Sequence, residues 1–287
     1  MYQTDPPRSP KEVLPTMYDL PSEDPEEPGL PDEFHLLQPR LLGETFCPPD
    51  YPADQVFVAS DLNLYYDPHY TNWYKRPDWF AVVGISRFYE QRDLRLSYVV
   101  WQERVNPFIV VELLSPGTEK EDLGQTLRAA NQPPTKWEVY ERILRIPYYV
   151  VFDRYTDELR AFRLEGSRYT QMELRQPRLW LPDLQLGLGL WQGIYQGIER
   201  QWLRWYDVTS QWILTPTEQE AQHAEQEQQR AEQEAQRAEQ ERQRAEQERQ
   251  RAEQERQRAE QERQRAERLI AQLRSLGVEP DLGSEQR

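Results

Sequence analysis

The chain has 287 residues, a formal net charge of −15 and one cysteine, Cys47, so an internal disulfide is excluded. No run approaches about 18 apolar residues and no apolar segment lies near the N-terminus, so we expect neither a membrane-spanning helix nor a signal peptide. The three histidines are far apart and lack cysteine partners, which counts against a structural zinc site. The lone thiol, together with the absence of a signal peptide pattern, favours a cytoplasmic protein.

The negative charge is concentrated at the two ends of the chain. Residues 1–60 contain 3 Lys and Arg against 12 Asp and Glu, and residues 217–287 contain 13 against 18. Residues 61–216 contain 19 against 20 and are nearly neutral. An acidic protein usually binds nucleic acid poorly, and the neutral middle region weakens that objection without removing it.

Composition divides the chain into an N-terminal segment, a middle α/β (α+β) domain and a C-terminal repeat. Residues 1–54 contain 12 of the 23 prolines and many acids, so we expect an irregular segment with a short helix near Asp32–Leu42. Residues 55–216 alternate short β-branched and aromatic runs with turn residues, which predicts a succession of strands. The expected strands are Val56–Tyr66, Trp79–Ser86, Ser97–Val105, Phe108–Leu114, Tyr148–Phe152, Glu158–Leu164, Tyr169–Glu173, and a late pair around Leu186–Tyr195 and Gln201–Leu214.

Two helices are expected between these strands. The first covers Glu121–Ala130 and is stopped by Pro133 and Pro134. The second begins at Thr135, and Glu138 three residues later completes a capping box. Its apolar stripe consists of Trp137, Tyr140, Ile143 and Leu144.

Residues 217–276 form a heptad repeat of the type Ala-Glu-Gln-Glu-Arg-Gln-Arg, followed by a tail, 277–287. Its residues favour helix and its opposite charges recur three and four positions apart, so we predict one helix roughly 90 Å long. A coiled coil normally has two apolar positions per heptad, whereas this repeat has one alanine. Two interpretations stay open: a weak homodimer joined through this helix as a coiled coil, and a single solvated helix. The apolar residues that would anchor a dimer are Leu269, Ile270, Leu273 and Leu276.

Three charged residues of the middle region indicate metal-dependent phosphodiester chemistry. Asp78 precedes an apolar strand, although Pro-Asp is also a common turn. Glu112 lies within the apolar run 109–114, where an unpaired carboxylate is costly to bury; the alternative is a structural ion pair with a buried arginine. Lys136 opens a helix against the helix dipole, and its alternative is an ordinary surface lysine. Two carboxylates for a hard cation and an ammonium for developing charge are what such hydrolysis requires.

The order and context of these residues resemble the Uma-type restriction endonuclease family of the PD-(D/E)XK nuclease superfamily. The resemblance covers roughly residues 30–215, and each motif alone is weak. The motifs that carry it are Pro77-Asp78 before a strand, Glu112 in Val-Val-Glu-Leu-Leu-Ser-Pro-Gly-Thr, Asp122-Leu123-Gly124, Lys136-Trp-Glu-Val-Tyr140 and Tyr148-Tyr-Val-Val-Phe-Asp153.

The resemblance implies a restriction-endonuclease-like mixed sheet flanked by helices and a Mg²⁺ or Mn²⁺ site. Asp78 and Glu112 would bind the metal, the backbone carbonyl of Leu113 would be a third ligand, and Lys136 would orient the attacking water. The superfamily lysine usually lies two residues after the second acid, where this chain has a leucine, and Lys136 fits the relocated position found in Uma-type families. The acid expected on the first helix has only one weak candidate, Glu33.

Two functional hypotheses follow. The first is a Mg²⁺-dependent endonuclease that binds DNA, with Lys75 and Arg76 beside Asp78 as candidate phosphate contacts. The second is a nuclease-like domain that has lost activity and acts as an interaction protein through its C-terminal helix. The polar heptads and acidic ends favour the second hypothesis. The retention of a lone glutamate in an apolar strand favours the first, and we prefer it.

Overall fold

A computed structural model describes residues 32–115, 119–126, 132–174 and 176–277 of the chain. The chain divides after Pro216 into two compact units. The N-terminal segment before residue 32 and residues 127–130 of the expected helix Glu121–Ala130 lie outside the described ranges. Within those ranges, no helix combines the length and apolar character needed to cross a membrane.

The described elements confirm the predicted mixed α/β class. The helices are α1 Phe34–Thr45, α2 Val100–Glu103, α3 Glu119–Asp122, α4 Lys136–Glu138 and α5 Pro216–Ser275, with a 3₁₀ turn at Ala53–Gln55 and a π-turn at Val139–Ile143. The strands are β1 Val56–Ala59, β2 Leu64–Tyr65, β3 Tyr74–Lys75, β4 Trp79–Val83, β5 Tyr98–Val99, β6 Ile109–Leu113, β7 Tyr148–Asp153, β8 Glu158–Glu165, β9 Arg168–Gln171, β10 Arg178–Leu181, β11 Leu186–Tyr195 and β12 Ile198–Tyr206.

The central sheet has six strands in the order β1-β4-β6-β7-β8-β9. Strands β6 and β7 pair in parallel, and the other neighbours pair antiparallel. The apolar runs of β6 and β7 place them at the centre, because both faces of these strands are covered. Alternation along β6 sends Ile109, Val111 and Leu113 into one core, and Val110 and Leu114 into the other.

One face of the central sheet packs against α1 and the antiparallel sheet β10-β11-β12. The contact between α1 and β12 includes a polar joint as well as apolar packing. The Gln38 amide nitrogen donates to the Leu203 carbonyl at 2.8 Å, and the Leu203 backbone N–H donates to Gln38 Oε1 at 2.8 Å. Gln38 is fully buried, so these two bonds satisfy its amide inside the core.

The other face of the central sheet carries the π-turn and the small sheet β3-β2-β5. The predicted capping box is confirmed: Thr135 Oγ1 accepts from the Glu138 N–H at 3.2 Å, and the Thr135 N–H donates to Glu138 Oε2 at 3.1 Å. The expected helix is only partly regular, because its second turn widens until the Leu144 N–H bonds the Val139 carbonyl at 2.8 Å. Such widened turns often mark functional sites.

Several expected boundaries are wrong for identifiable reasons. The expected strand Val56–Tyr66 breaks into β1 and β2 because Asp61 adopts a left-handed backbone conformation at φ 51°. The expected strand Ser97–Val105 contains only two strand residues and then turns into α2, which ends at Arg104 with φ 60°. The late strand ends at Tyr206 and not at residue 214, because the next residue, Asp207, accepts from the Thr209 and Gln211 N–H groups and forms a turn. Strands β3 and β10 had no sequence prediction.

The described part of the second unit is almost entirely the helix α5, 60 residues long, which confirms the predicted long C-terminal helix. Its side chains are almost all exposed. Its regular side-chain bonds join residues four positions apart, for example Gln243 Nε2 to Glu239 Oε1 at 3.2 Å and Arg263 Nε to Glu267 Oε1 at 3.2 Å. These local bonds support the helix without any partner surface.

Candidate active site

Glu112 lies in the middle of β6 and is fully buried. Its Oε1 accepts a hydrogen bond from the Tyr140 hydroxyl at 2.9 Å. Its Oε2 lies 3.0 Å from Lys136 Nζ and accepts from the Asp78 backbone N–H at 3.3 Å. The carboxylate therefore has donors on both oxygens. The alternative of a pair with a buried arginine is not what the structure contains, because the cation at Glu112 is Lys136.

Asp78 lies directly before β4, at the point where the pairing of β4 with β6 stops. That pairing begins at Trp79 opposite Val111, so Leu113 has no β4 residue opposite it. The Asp78 carboxylate takes that place, and its Oδ2 accepts from the Leu113 N–H at 2.6 Å. Two hydrogen bonds therefore join Asp78 to β6. The Asp78 N–H donates to the Glu112 carboxylate, and the Leu113 N–H donates to the Asp78 carboxylate. This exchange fixes the two predicted acids next to each other.

Lys136 is the first residue of α4, and its ammonium bridges two carboxylates. Nζ lies 3.0 Å from Glu112 Oε2 and 3.1 Å from Asp122 Oδ1, while the side chain is 17 % exposed. The structure therefore gives a reason for a lysine at a helix start, because two buried carboxylates outweigh the unfavourable helix dipole. The structure brings together the three residues that the sequence singled out: Asp78, Glu112 and Lys136.

Asp122, at the end of α3, is a fourth charged member that the sequence analysis noted only as part of a motif. The residue is 1 % exposed, and its Oδ1 and Oδ2 accept no hydrogen bond within the described part of the chain. The contact with Lys136 is an ion pair without hydrogen-bond alignment. The sequence did contain a signal for Asp122, because the Asp-Leu-Gly motif lies between β6 and α4, the elements that carry Glu112 and Lys136. Its burial could not be read from the polar sequence around it.

The carbonyl of Leu113 is held by a histidine from α1. His35 Nε2 lies 3.1 Å from Leu113 O, and His35 Nδ1 lies 3.0 Å from Asp32 Oδ1. A carbonyl and a carboxylate only accept, so both ring nitrogens carry protons and the buried ring is an imidazolium. Asp32 also pairs with Arg154, which follows β7. The sequence analysis considered His35 only as a zinc ligand and missed this role.

Glu33, the candidate acid of the first helix, is exposed at the start of α1. None of the contacts found in the described ranges joins it to Asp78 or Glu112. The residue of α1 that reaches the cluster is His35, so this chain presents an imidazolium from the first helix where the superfamily pattern has a carboxylate.

The two DNA-contact candidates lie beside the site but are partly committed to the fold. Lys75 is 8 % exposed and lies in β3, which leaves its ammonium little surface to meet a phosphate. Arg76 bonds both the side chain and the carbonyl of Asp61. Both residues stay predictions as DNA contacts.

The cluster contains more buried negative charge than Lys136 can balance. Burial raises the pKa of Glu112 well above its usual range, and Asp78 and Asp122 add to this while Lys136 offsets part of it. Burial also raises the pKa of Asp78, although Lys136 and His35 oppose that rise. Burial disfavours the Lys136 ammonium, but Asp122 and Glu112 outweigh it and raise its pKa well above the usual range. Burial disfavours the charged form of His35, but the hydrogen bond to Asp32, the nearby charges of Asp78 and Asp32 and the bond to the Leu113 carbonyl together outweigh burial and raise its pKa.

The donors around Asp78 fit a hard divalent cation. In the described ranges, no three side chains of His, Cys, Asp or Glu are arranged to hold a metal ion, so a site here would need the Leu113 carbonyl beside the two carboxylates. Oxygen ligands of this kind suit Mg²⁺ and Mn²⁺. Asp122 adds two carboxylate oxygens that accept no hydrogen bond in the described part of the chain, and burial raises the pKa of Asp78 and Glu112. The residues present therefore fit the group that the resemblance implies.

The fold is thus a mixed sheet in which the buried Glu112 of β6 adjoins Asp78 and contacts Lys136 at the start of α4. A family model described as "Putative restriction endonuclease", Uma2, matches residues 14–196. The match covers more than half of the chain, and the chain belongs to this family. Restriction-endonuclease-like families generally use divalent metals and act on DNA, so the family indicates a nuclease. No curated protein matches the sequence.

Proposed function

We propose that the protein is a Mg²⁺- or Mn²⁺-dependent endonuclease that hydrolyses DNA phosphodiester bonds. The observation that carries this proposal is Glu112, a fully buried carboxylate that accepts a hydrogen bond from the Asp78 N–H and contacts Lys136, while the next residue, Leu113, donates its N–H to the Asp78 carboxylate. Three neighbouring carboxylates of which Lys136 contacts two are a poor structural solution, because each unbalanced buried charge is costly. They are a good arrangement for a site that binds a cation.

Each residue has a role that its position supports. Asp78, Glu112 and the Leu113 carbonyl would hold the ion, which when bound neutralises phosphate charge and acidifies a water. Lys136 Nζ, next to Glu112, would orient the attacking water and stabilise the negative charge that develops on the phosphate. Asp122 would keep that ammonium charged and in place, since its carboxylate lies 3.1 Å from Nζ. His35 would fix the direction of the Leu113 carbonyl.

A second function is supported by a different observation. Lys136 and Glu112 already contact each other at 3.0 Å, so the cluster also works as a structural ion pair in an inactive nuclease-like domain. The working part would then be α5, a long polar helix with exposed Leu269, Leu273 and Leu276 at its end. In either case we propose a weak homodimer through α5, and for the active enzyme we propose DNA as the partner of the globular domain.

Nicking of supercoiled plasmid DNA tests the main proposal. The wild-type protein should cut with Mg²⁺ or Mn²⁺, and with Ca²⁺ it should bind without cutting because calcium coordinates more loosely. Glu112→Gln and Asp78→Asn should each remove nearly all turnover. The matched control is Glu103→Gln. This change breaks a largely buried ion pair of 2.8 Å with Arg95, and both residues lie outside the cluster. It should leave turnover unchanged. Retained cutting by Glu112→Gln would show that the assignment of Glu112 as a metal ligand is wrong, and a wild-type protein that cuts with neither metal would contradict the nuclease hypothesis.

A further inference from the structure

Tyr140 is a fully buried residue whose hydroxyl contacts the central carboxylate of the site. The sequence pattern assigns it to the apolar stripe of a helix, and its ring does pack in the core, 5.5 Å from the ring of Tyr149. Its hydroxyl, however, donates to Glu112 Oε1 at 2.9 Å. The apolar pattern hid this polar contact, because a tyrosine fits a buried stripe as well as a phenylalanine does.

Tyr140 and Lys136 hold opposite oxygens of the same carboxylate. The two residues are four positions apart, so they lie on one side of the helical segment. Lys136 Nζ is 3.0 Å from Oε2, and the Tyr140 hydroxyl is 2.9 Å from Oε1. The capping box at Thr135 fixes where this segment begins. With Tyr140 donating to Oε1, and Lys136 and the Asp78 N–H donating to Oε2, the Glu112 carboxylate cannot rotate without breaking a buried bond.

A single donor on Oε1 leaves that oxygen able to bind a cation, since an ionised carboxylate has about four lone-pair sites. Hydrogen bonds of this kind orient metal-binding carboxylates, and their loss typically weakens metal affinity about 10–100-fold.

We propose that Tyr140 is a positioning residue whose hydroxyl holds Glu112 in the orientation in which its carboxylate binds the divalent ion. This inference rests on the proposed nuclease function. It assigns Tyr140 no contact with DNA or with the ion, so its effect passes through Glu112 alone.

The test is Tyr140→Phe, compared with Tyr98→Phe as a matched control. Tyr98 is also fully buried in the same core cluster, and its hydroxyl donates to the Val105 carbonyl at 2.7 Å, away from Glu112. Both variants lose one buried hydroxyl and keep the ring. Calorimetric titration with Mn²⁺ should show 10–100-fold weaker binding for Tyr140→Phe and wild-type binding for Tyr98→Phe. Thermal melting of the metal-free proteins measures the purely structural loss in each.

A double mutant tests whether the loss of Mn²⁺ affinity in Tyr140→Phe passes through Glu112. In a Glu112→Gln background, adding Tyr140→Phe should change the remaining Mn²⁺ affinity by less than twofold, because the oriented carboxylate is already gone. DNA cutting by Tyr140→Phe should recover as Mn²⁺ is raised, with the KM for DNA unchanged. Wild-type Mn²⁺ affinity in Tyr140→Phe would overturn this inference alone. Failure of the unmodified protein to bind Mn²⁺ would overturn it together with the proposed metal site.

Discussion

The globular unit and α5 both contain many charges but place them in opposite environments. In the globular unit Glu112 and Asp122 are buried, and each contacts the same lysine. In α5 the glutamates and arginines are exposed, and their side-chain hydrogen bonds, such as Gln243 to Glu239 and Arg263 to Glu267, join residues four positions apart. The comparison teaches that burial and a specific partner, rather than the number of charges, make a charged residue informative. It also predicts large effects from single substitutions in one unit and small effects in the other.

The largest effect after loss of the metal ligands should come from Lys136→Ala. Removal of the ammonium leaves Glu112 and Asp122 unbalanced, so turnover should fall by a factor on the order of 10² while metal binding stays nearly intact. Single-turnover cleavage and calorimetry measure the two effects. The control is Lys120→Ala, an exposed lysine in α3. Equal turnover of the two variants would contradict the role of Lys136.

The next effect is on the stability of the metal-free protein, compared between Glu112→Gln and the wild type. If Glu112 is a buried carboxylate that needs a cation, the variant should be as stable as the wild type or more so, because it removes an unbalanced charge. Urea unfolding in EDTA gives the free energy of unfolding. A strong loss of stability would instead identify Glu112 as half of a structural ion pair and support the inactive interpretation.

The pH dependence of the metal-free protein should have a defined sign. The folded pKa values of Asp78 and Glu112 are raised from 3.8 and 4.5, so the folded state retains protons that the unfolded chain releases above those values. The raised pKa of His35 adds stability below 6.5 that is lost as pH rises through its folded value. Thermal stability should therefore fall between about pH 5 and 8. The Glu112→Gln variant should show a shallower fall, and an equal slope in differential scanning calorimetry would contradict this assignment.

The smallest effects should come from α5. A chain that ends at Thr215 should keep the fold of the globular unit and, if the heptads pair, fall to a smaller assembly in light scattering. A monomeric full-length protein at tens of micromolar would exclude the dimer. Because the helix depends on exposed charge pairs, the helicity of an isolated 217–276 peptide should decrease modestly with added salt. Helicity that rises with peptide concentration would instead indicate association.

The sequence predicted those parts of the molecule whose pattern is local. Three features can be recognised from a few neighbouring residues and are present in the structure: the apolar runs of β6 and β7, the capping box at Thr135, and the heptads of α5. Glu112 was singled out as a charge in an apolar run and Lys136 as a cation opposed to the helix dipole, whereas Asp78 was singled out by its place in the order of motifs.

What the sequence missed depends on contacts between distant segments. His35 meets Leu113 across 78 positions, and Tyr140 meets Glu112 across 28 positions. Asp122 lies in a polar stretch, so its burial left no local trace. The same reason explains the failed boundary at Val56–Tyr66, because a left-handed Asp61 is set by the chain's path and not by strand propensity.

The joint between Gln38 and Leu203 restricts one position of the chain to a single amino acid. The side chain must give one proton to a backbone oxygen and accept another from a backbone nitrogen, at the full reach of two methylene groups. Glutamate can only accept in its ionised form, methionine has neither function, and asparagine is one carbon too short. We expect each of these replacements to loosen the packing of α1 on β12. The residues next to Gln38 in the sequence give no sign of this requirement.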